Sequence, residues 1–275
     1  LYCNYYIAFM ICIFAVIWYL LYSFKSIKQF FFRGIAFAFY SFLAAGMAAI
    51  LLIPAYMGIK QTASGETMQL PEHSFLTSVA DLLNRQFALW SPISHDNFDG
   101  NANLYIGIFS VLAVGLYVLN GEIKVSEKIK KVLLIGLFYL SFSEMILNFI
   151  WHGFHDQYGI PNRFSFLLGF VLLYMLWEVF EHLEGVKGWH AAFACMAGVA
   201  LMAYAKLKGT QVLEDNVYGV AGMLLLLYGM LLFLYTLSRK RKYIYKFIFC
   251  AVAVIEITVT AFMGFNENGQ ISVSK

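Results

Sequence analysis

The sequence predicts an all-α, polytopic membrane helix bundle of about eight transmembrane helices, with an outer loop carrying an amphipathic interfacial helix. Three observations predict it. Of 275 residues, 61% are apolar and only 13% charged, against about 45–50% and 25% in soluble domains. Eight apolar runs approach the ~20 residues that cross hydrocarbon as a helix. Basic residues then gather on alternate loops between those runs.

In chain order the runs lie near 3–22, 34–57, 104–119, 132–150, 164–181, 189–205, 217–237 and 244–264. The third is short. The run from Val217 to Leu237 carries no charge at all. Barrel strands would be shorter and would alternate in polarity. In lipid every backbone N–H and C=O needs an internal partner, which a helix supplies alone. The whole of 1–275 therefore reads as a single transmembrane helical domain that includes an outer loop at 58–103. The chain starts Leu-Tyr-Cys-Asn and ends just past an apolar run, so it reads as a piece of a longer protein.

The loops after the first, third, fifth and seventh runs, with Lys246 just beyond, hold 13 of the 19 Lys and Arg residues. They include Lys25, Lys28 and Arg33, then Lys124, Lys128, Lys130 and Lys131, and later Arg239 to Lys242. Basic loops stay in the cytoplasm. The expectation is a multi-pass membrane protein with both ends of this chain outside. The net charge of +3 carries no signal for nucleic acid, because the bases flank apolar runs. The four cysteines lie in or beside apolar stretches without CxxC spacing and read as small packing residues.

The 58–103 loop is far longer than a helix connection needs. Within it Ser74 is the expected cap of a helix through Phe87, with Phe75, Leu76, Val79, Leu82, Leu83 and Phe87 on one face and Asp81, Asn84 and Arg85 opposite. Such a helix can lie in the membrane interface or cap the bundle, and both can hold at once. Further on, 94–103 is rich in oxygen donors but lacks the register of a calcium loop, so it reads as a polar turn.

The densest polar cluster joins the fourth and fifth runs: Trp151-His152-Gly153-Phe154-His155-Asp156, then Gly159, Pro161, Asn162, Arg163, Phe164, Ser165 and Phe166. Arg163 stands where a span begins. Its planar fork suits a phosphate or carboxylate, and a lipid head group would serve it equally. Asp156 or a histidine can accept a proton near neutral pH. His152, His155 and Asp156 carry metal-ligating groups, but Gly153 and Gly159 argue against the helix that would align them, so no metal site is assigned. Glu144 and Glu256 sit inside apolar runs and face either a polar cavity or a neighbouring helix as a packing hydrogen bond. P-loop, GxSxG, HExxH and dinucleotide motifs are absent.

These residues resemble the bacterial membrane proteins called YfhO. The likeness rests on His152-Gly153-Phe154, Gly159, Pro161 and Arg163-Phe164-Ser165-Phe166, with Asn103-Leu104-Tyr105-Ile106-Gly107 and Asn4-Tyr5-Tyr6 in support. The resemblance implies a GT-C-type glycosyltransferase, which moves a sugar from a polyprenyl-phosphate carrier to an acceptor outside the membrane. The implied acceptor is a cell-envelope polymer such as lipoteichoic acid, and membrane lipids are the other partners. It implies catalytic support from His152 and Asp156, and substrate contacts from Arg163, His155, Asn162 and Glu144. The departing phosphate needs cationic or divalent-metal help, though the residues name no cofactor. The resemblance further implies a main catalytic acid in the first outer loop, which is expected to precede Leu1. The alternative reading is a transporter or flippase for lipid-linked substrates, using Glu144 and Glu256.

Overall fold

A computed structural model describes residues 4–61, 70–91, 93, 102–154, 162–238 and 242–269. The protein is all-helical: among the described residues there is no strand, and Phe75 and Glu144 form an isolated β-bridge. The helices are α1 (Tyr5–Leu21), α2 (Ile27–Ile59), α3 (Val79–Gln86), α4 (Phe109–Leu119), α5 (Val125–Ser143), α6 (Met145–Trp151), α7 (Ser165–Glu181), α8 (Gly188–Lys208), α9 (Asp215–Leu237) and α10 (Lys242–Gly269). Each of the eight apolar runs holds a helix. Four segments are long and apolar enough to cross a membrane: Ile27–Gly58, Gly188–Lys208, Asp215–Leu237 and Lys242–Phe265. Shorter apolar helices cover Tyr6–Leu21 and Phe109–Leu119.

The chain divides into two compact units, 1–74 with 145–158 and 75–144 with 159–275. In the first unit α1 packs against α6. The Asn4 side chain starts α1 by accepting from the Tyr6 and Ile7 amides at 3.1 and 3.0 Å. Ser26 does the same for α2 through the Gln29 amide, the standard use of short polar side chains at helix starts. Most of α2 is exposed and apolar, including Phe32 and Phe42 at 76% and 81% exposure. In water that surface would be costly; against lipid it is neutral.

In the second unit α4 packs on α7 and α8, α8 on α9, and α9 on α10. Small residues permit the close approaches that substitute for a hydrophobic driving force in lipid. Gly115 of α4 lies on Ala194 of α8, where an added Cβ would come within 3.0 Å of the alanine Cβ. Cys195 is buried in the α8–α9 contact, as its apolar setting predicts, and its thiol faces the Leu225 carbonyl. At the end of this unit that holds loops 120–124 and 182–187, Asn120 donates to the His182 carbonyl at 2.9 Å.

Two expectations shift. The run at 132–150 is not one helix: α5 ends at Ser143, Glu144 is extended (φ −100°, ψ 129°), and α6 begins at Met145. Non-helical backbone inside an apolar run needs another partner, and the 75–76 segment supplies it, with Leu76 N–H donating to the Ser143 carbonyl at 2.7 Å. The loop helix starts at Val79, not after Ser74, because Ser78 is the cap that accepts from the Asp81 amide at 3.1 Å.

Candidate functional site

In the first unit, α6 delivers His152. The helix closes with His152 N–H on the Asn148 carbonyl, and the chain then turns through Gly153 (φ 75°) and Phe154 (φ 62°). Glycine takes that conformation freely, whereas a phenylalanine there costs roughly 1–2 kcal/mol. The Phe154 ring offsets part of it by packing edge-on against Phe149 at 6.0 Å. His152 is 1% exposed. Its Nδ1 stands 2.7 Å from the Asn148 carbonyl oxygen. A carbonyl only accepts, so the neutral ring carries its proton on Nδ1 and its lone pair on Nε2. The ring lies 5.8 Å from that of Tyr6 on α1. Sequence reasoning quoted both residues without linking them, since no local periodicity connects positions 6 and 152.

In the second unit, Glu144 is 7% exposed at the break after α5. Asn162, Arg163 and Phe164 lead into α7. Asn162 is buried at φ 58°, a left-handed conformation that asparagine tolerates better than most residues. It donates through Nδ2 to the Phe142 carbonyl at 3.4 Å, and its own carbonyl accepts from Ser165 N–H at 3.0 Å. Phe164 is fully buried and stacks on Phe142 at 4.9 Å. Arg163, between two buried anchors, is exposed. His155 and Asp156 lie outside the described residues, as do Gly159 and Pro161. Among the described residues no group of three His, Cys, Asp or Glu side chains is placed to hold a metal ion.

Glu256 has a definite environment. It is 5% exposed on α10 and accepts three hydrogen bonds: from the Tyr105 hydroxyl at 2.6 Å, the Ile108 amide at 2.6 Å and the Tyr228 hydroxyl at 2.5 Å. The Ile108 amide is that of the N-cap residue of α4, where N–H groups lack helical partners, and a carboxylate suits the positive end of a helix. Of the two readings open for this residue, the packing hydrogen bond is the observed one. Two of its partners lie about 150 residues before it and the third 28, all too far for helical spacing to reveal.

A second polar cluster was not expected. Asp81, Asn84 and Arg85 of α3 face the turn between α8 and α9 instead of solvent. The Asp81 carboxylate accepts from the Thr210 amide at 2.7 Å, the Gln211 amide at 2.9 Å, the Thr210 hydroxyl at 3.0 Å and the Ser78 hydroxyl at 2.6 Å. Burial pushes its pKa up, but these hydrogen bonds outweigh it and the value falls below the ordinary 3.8. Asn84 donates to the Ala205 carbonyl at 3.0 Å and accepts from the Tyr218 hydroxyl at 2.7 Å. Arg85 reaches the Gln211 side chain and the Ser91 carbonyl, both at 3.2 Å. Burial lowers its pKa, a cost that the nearby Asp81 charge reduces. Leu82 and Phe87 are buried as well, at 0% and 1% exposure, while Phe75 and Val79 remain at the surface. The amphipathic pattern predicted the helix; its polar face turns inward because Asp81 accepts from the amides at 210 and 211.

No curated protein and no solved structure matches the chain. A family model described as bacterial membrane protein YfhO matches residues 1–275. With its apolar helices, that match places the protein in the membrane, and the chain belongs to the YfhO family.

Proposed function

We propose that this chain is the membrane domain, or part of it, of a GT-C-type glycosyltransferase. In this reading the full protein moves a sugar from a polyprenyl-phosphate carrier to a cell-envelope polymer such as lipoteichoic acid on the outer face. The observation that carries the reading is the build of Asn162-Arg163-Phe164. Buried anchors on both sides present an exposed guanidinium at the start of an apolar helix. A fork held at that position matches the charge and geometry of a phosphate at the membrane surface.

Transfer to a hydroxyl requires removal of its proton as the phosphate departs. Arg163 supplies positive charge to the leaving phosphate. The lone pair on His152 Nε2 is of the right kind to accept or relay a proton, with Asp156 and His155 as the other candidates. Asn162 and Glu144 provide further polar contacts to substrate. The departing phosphate needs cationic or divalent-metal help; among the described residues no three His, Cys, Asp or Glu side chains are placed to hold such an ion, and Arg163 is the cation this segment offers. The reading takes the orientation that the alternation of basic loops favours, with both ends of the chain outside and this segment on the outer face.

The test is Arg163→Ala in the full-length protein in cells. Sugar on the envelope polymer is expected to disappear while protein abundance is unchanged; normal glycosylation would remove Arg163 from the mechanism. The break between α5 and α6 at Glu144 favours a second reading, since interrupted membrane helices also build transport sites. If transport is the activity, Glu144→Gln stops movement of a polyprenyl-phosphate carrier in reconstituted vesicles and Arg163→Ala leaves the polymer glycosylated.

A further inference from the structure

The second unit contains a cavity of about 180 Å³ that none of the functional residues above lines. Its roof is α3 with the residue following it, through Leu83, Gln86 and Phe87, and its walls include Val114 of α4, Tyr139 of α5 and Leu201 of α8. Polar atoms are few and engaged: the Ser110 hydroxyl donates to the Gly107 carbonyl at 2.7 Å, and the Tyr139 hydroxyl pairs with Gln86. A cavity needs two to four polar partners to hold an ordered water, while an apolar one of about 150 Å³ stays dry and takes up benzene. An apolar guest therefore fits and water does not.

The cavity also has a way in. Leu201 is 41% exposed on α8, one of the helices able to cross a membrane. Tyr204 on the same helix is 47% exposed, and on α5 Val132 and Leu140 are 46% and 50% exposed. Leu201 thus belongs both to the cavity wall and to the exposed apolar surface of α8.

We infer that the cavity beneath α3 holds a segment of a membrane phospholipid acyl chain, entering sideways past Leu201. Acyl chains are the most concentrated apolar solute at that opening, so mass action favours their occupancy. The site would be lost if α3 lifted, which makes the Asp81 cluster the fastening of its roof. The assignment stands independently of whether the protein transfers sugar.

The experiment uses the protein in phosphatidylglycerol vesicles containing a trace of phospholipid with a diazirine at its acyl terminus. After irradiation, labelled positions are mapped by peptide mass spectrometry. Label is expected on the cavity residues Leu83, Val114 and Tyr139, as well as on exposed lipid-facing positions such as Phe262 of α10. Filling the cavity by Val114→Trp should reduce cavity label several-fold and leave Phe262 label unchanged. Leu201→Phe, which narrows the mouth with a smaller change, should do the same in part, and its melting temperature verifies folding. Cavity label that is absent, or that persists in both folded variants, overturns the inference. So does loss of cavity label in the unaltered protein when polyprenyl phosphate is added at trace level, which would identify an isoprenoid chain as the occupant. Loss of polymer glycosylation in cells tests a different claim, so the two can fail separately.

Discussion

The Asp81 carboxylate and the backbone amide of Gln211 meet at 2.9 Å across 130 positions of sequence. With the Thr210 amide at 2.7 Å, this pair fastens α3 to the turn between α8 and α9. Charged acceptors on backbone amides are the stronger class of hydrogen bond, about 1.5–3 kcal/mol each. Asp81→Ala is expected to cost about 3 kcal/mol. It should also expose residues 79–86 to protease, measured by limited proteolysis in detergent. Asp81→Asn keeps an acceptor and should cost less.

The same carboxylate makes this contact acid-sensitive. Its folded pKa lies below the ordinary 3.8, so the native state binds its proton more weakly than the unfolded chain does. The stabilisation is complete above the ordinary value and is lost as pH falls through the lower folded value. Proteolysis at α3 should accelerate below about pH 4, and Asp81→Asn should remove that acceleration.

Gly209 tests the packing of the same turn. An added Cβ would sit 2.3 Å from Asn84 Nδ2 and 2.7 Å from the Ala205 carbonyl oxygen. The second contact is backbone and cannot swing aside. Gly209→Ala is expected to lower stability by about 1–3 kcal/mol and to loosen α3 in hydrogen exchange. Gly219, with open space at its Cβ position, is the control in which alanine is tolerated.

Glu256→Ala would strand the Tyr228 hydroxyl and the Ile108 amide in an apolar interior and leave the Tyr105 hydroxyl with Thr260 alone. At about 1–3 kcal/mol for each unsatisfied group, a loss of several kcal/mol is expected by thermal unfolding in detergent. Glu256→Gln retains one acceptor oxygen and should fall between that variant and the unaltered protein. Exchange at the Ile108 amide should rise in both variants.

Arg163→Lys separates charge from shape. The lysine keeps a cation but loses the fork that binds two phosphate oxygens together. If Arg163 contacts the departing phosphate, glycosylation of the polymer should fall by about 10²-fold, with the melting temperature of the variant checking that it remains folded.

Hydropathy suffices to find a helix in each of the eight apolar runs of this protein. An apolar run in lipid has one way to pair its backbone, so composition over about 20 residues decides the element. The likeness carried by His152, Arg163, Phe164 and Ser165 was legible too, because it lies within one short segment. Tertiary structure alone decided the rest. Glu144 interrupts a run that hydropathy reads as continuous, since the 75–76 segment supplies the backbone pairing that helix would have made. Asp81, Asn84 and Arg85 look solvent-facing by periodicity but turn inward, because their partners lie in the Ala205–Gln211 segment and at Tyr218. Glu256 is settled by a tyrosine and an amide some 150 residues earlier. Periodicity reports which residues are apolar along one helix. It carries no information about which distant donor a buried acceptor will meet, and that pairing is made only when the helices pack.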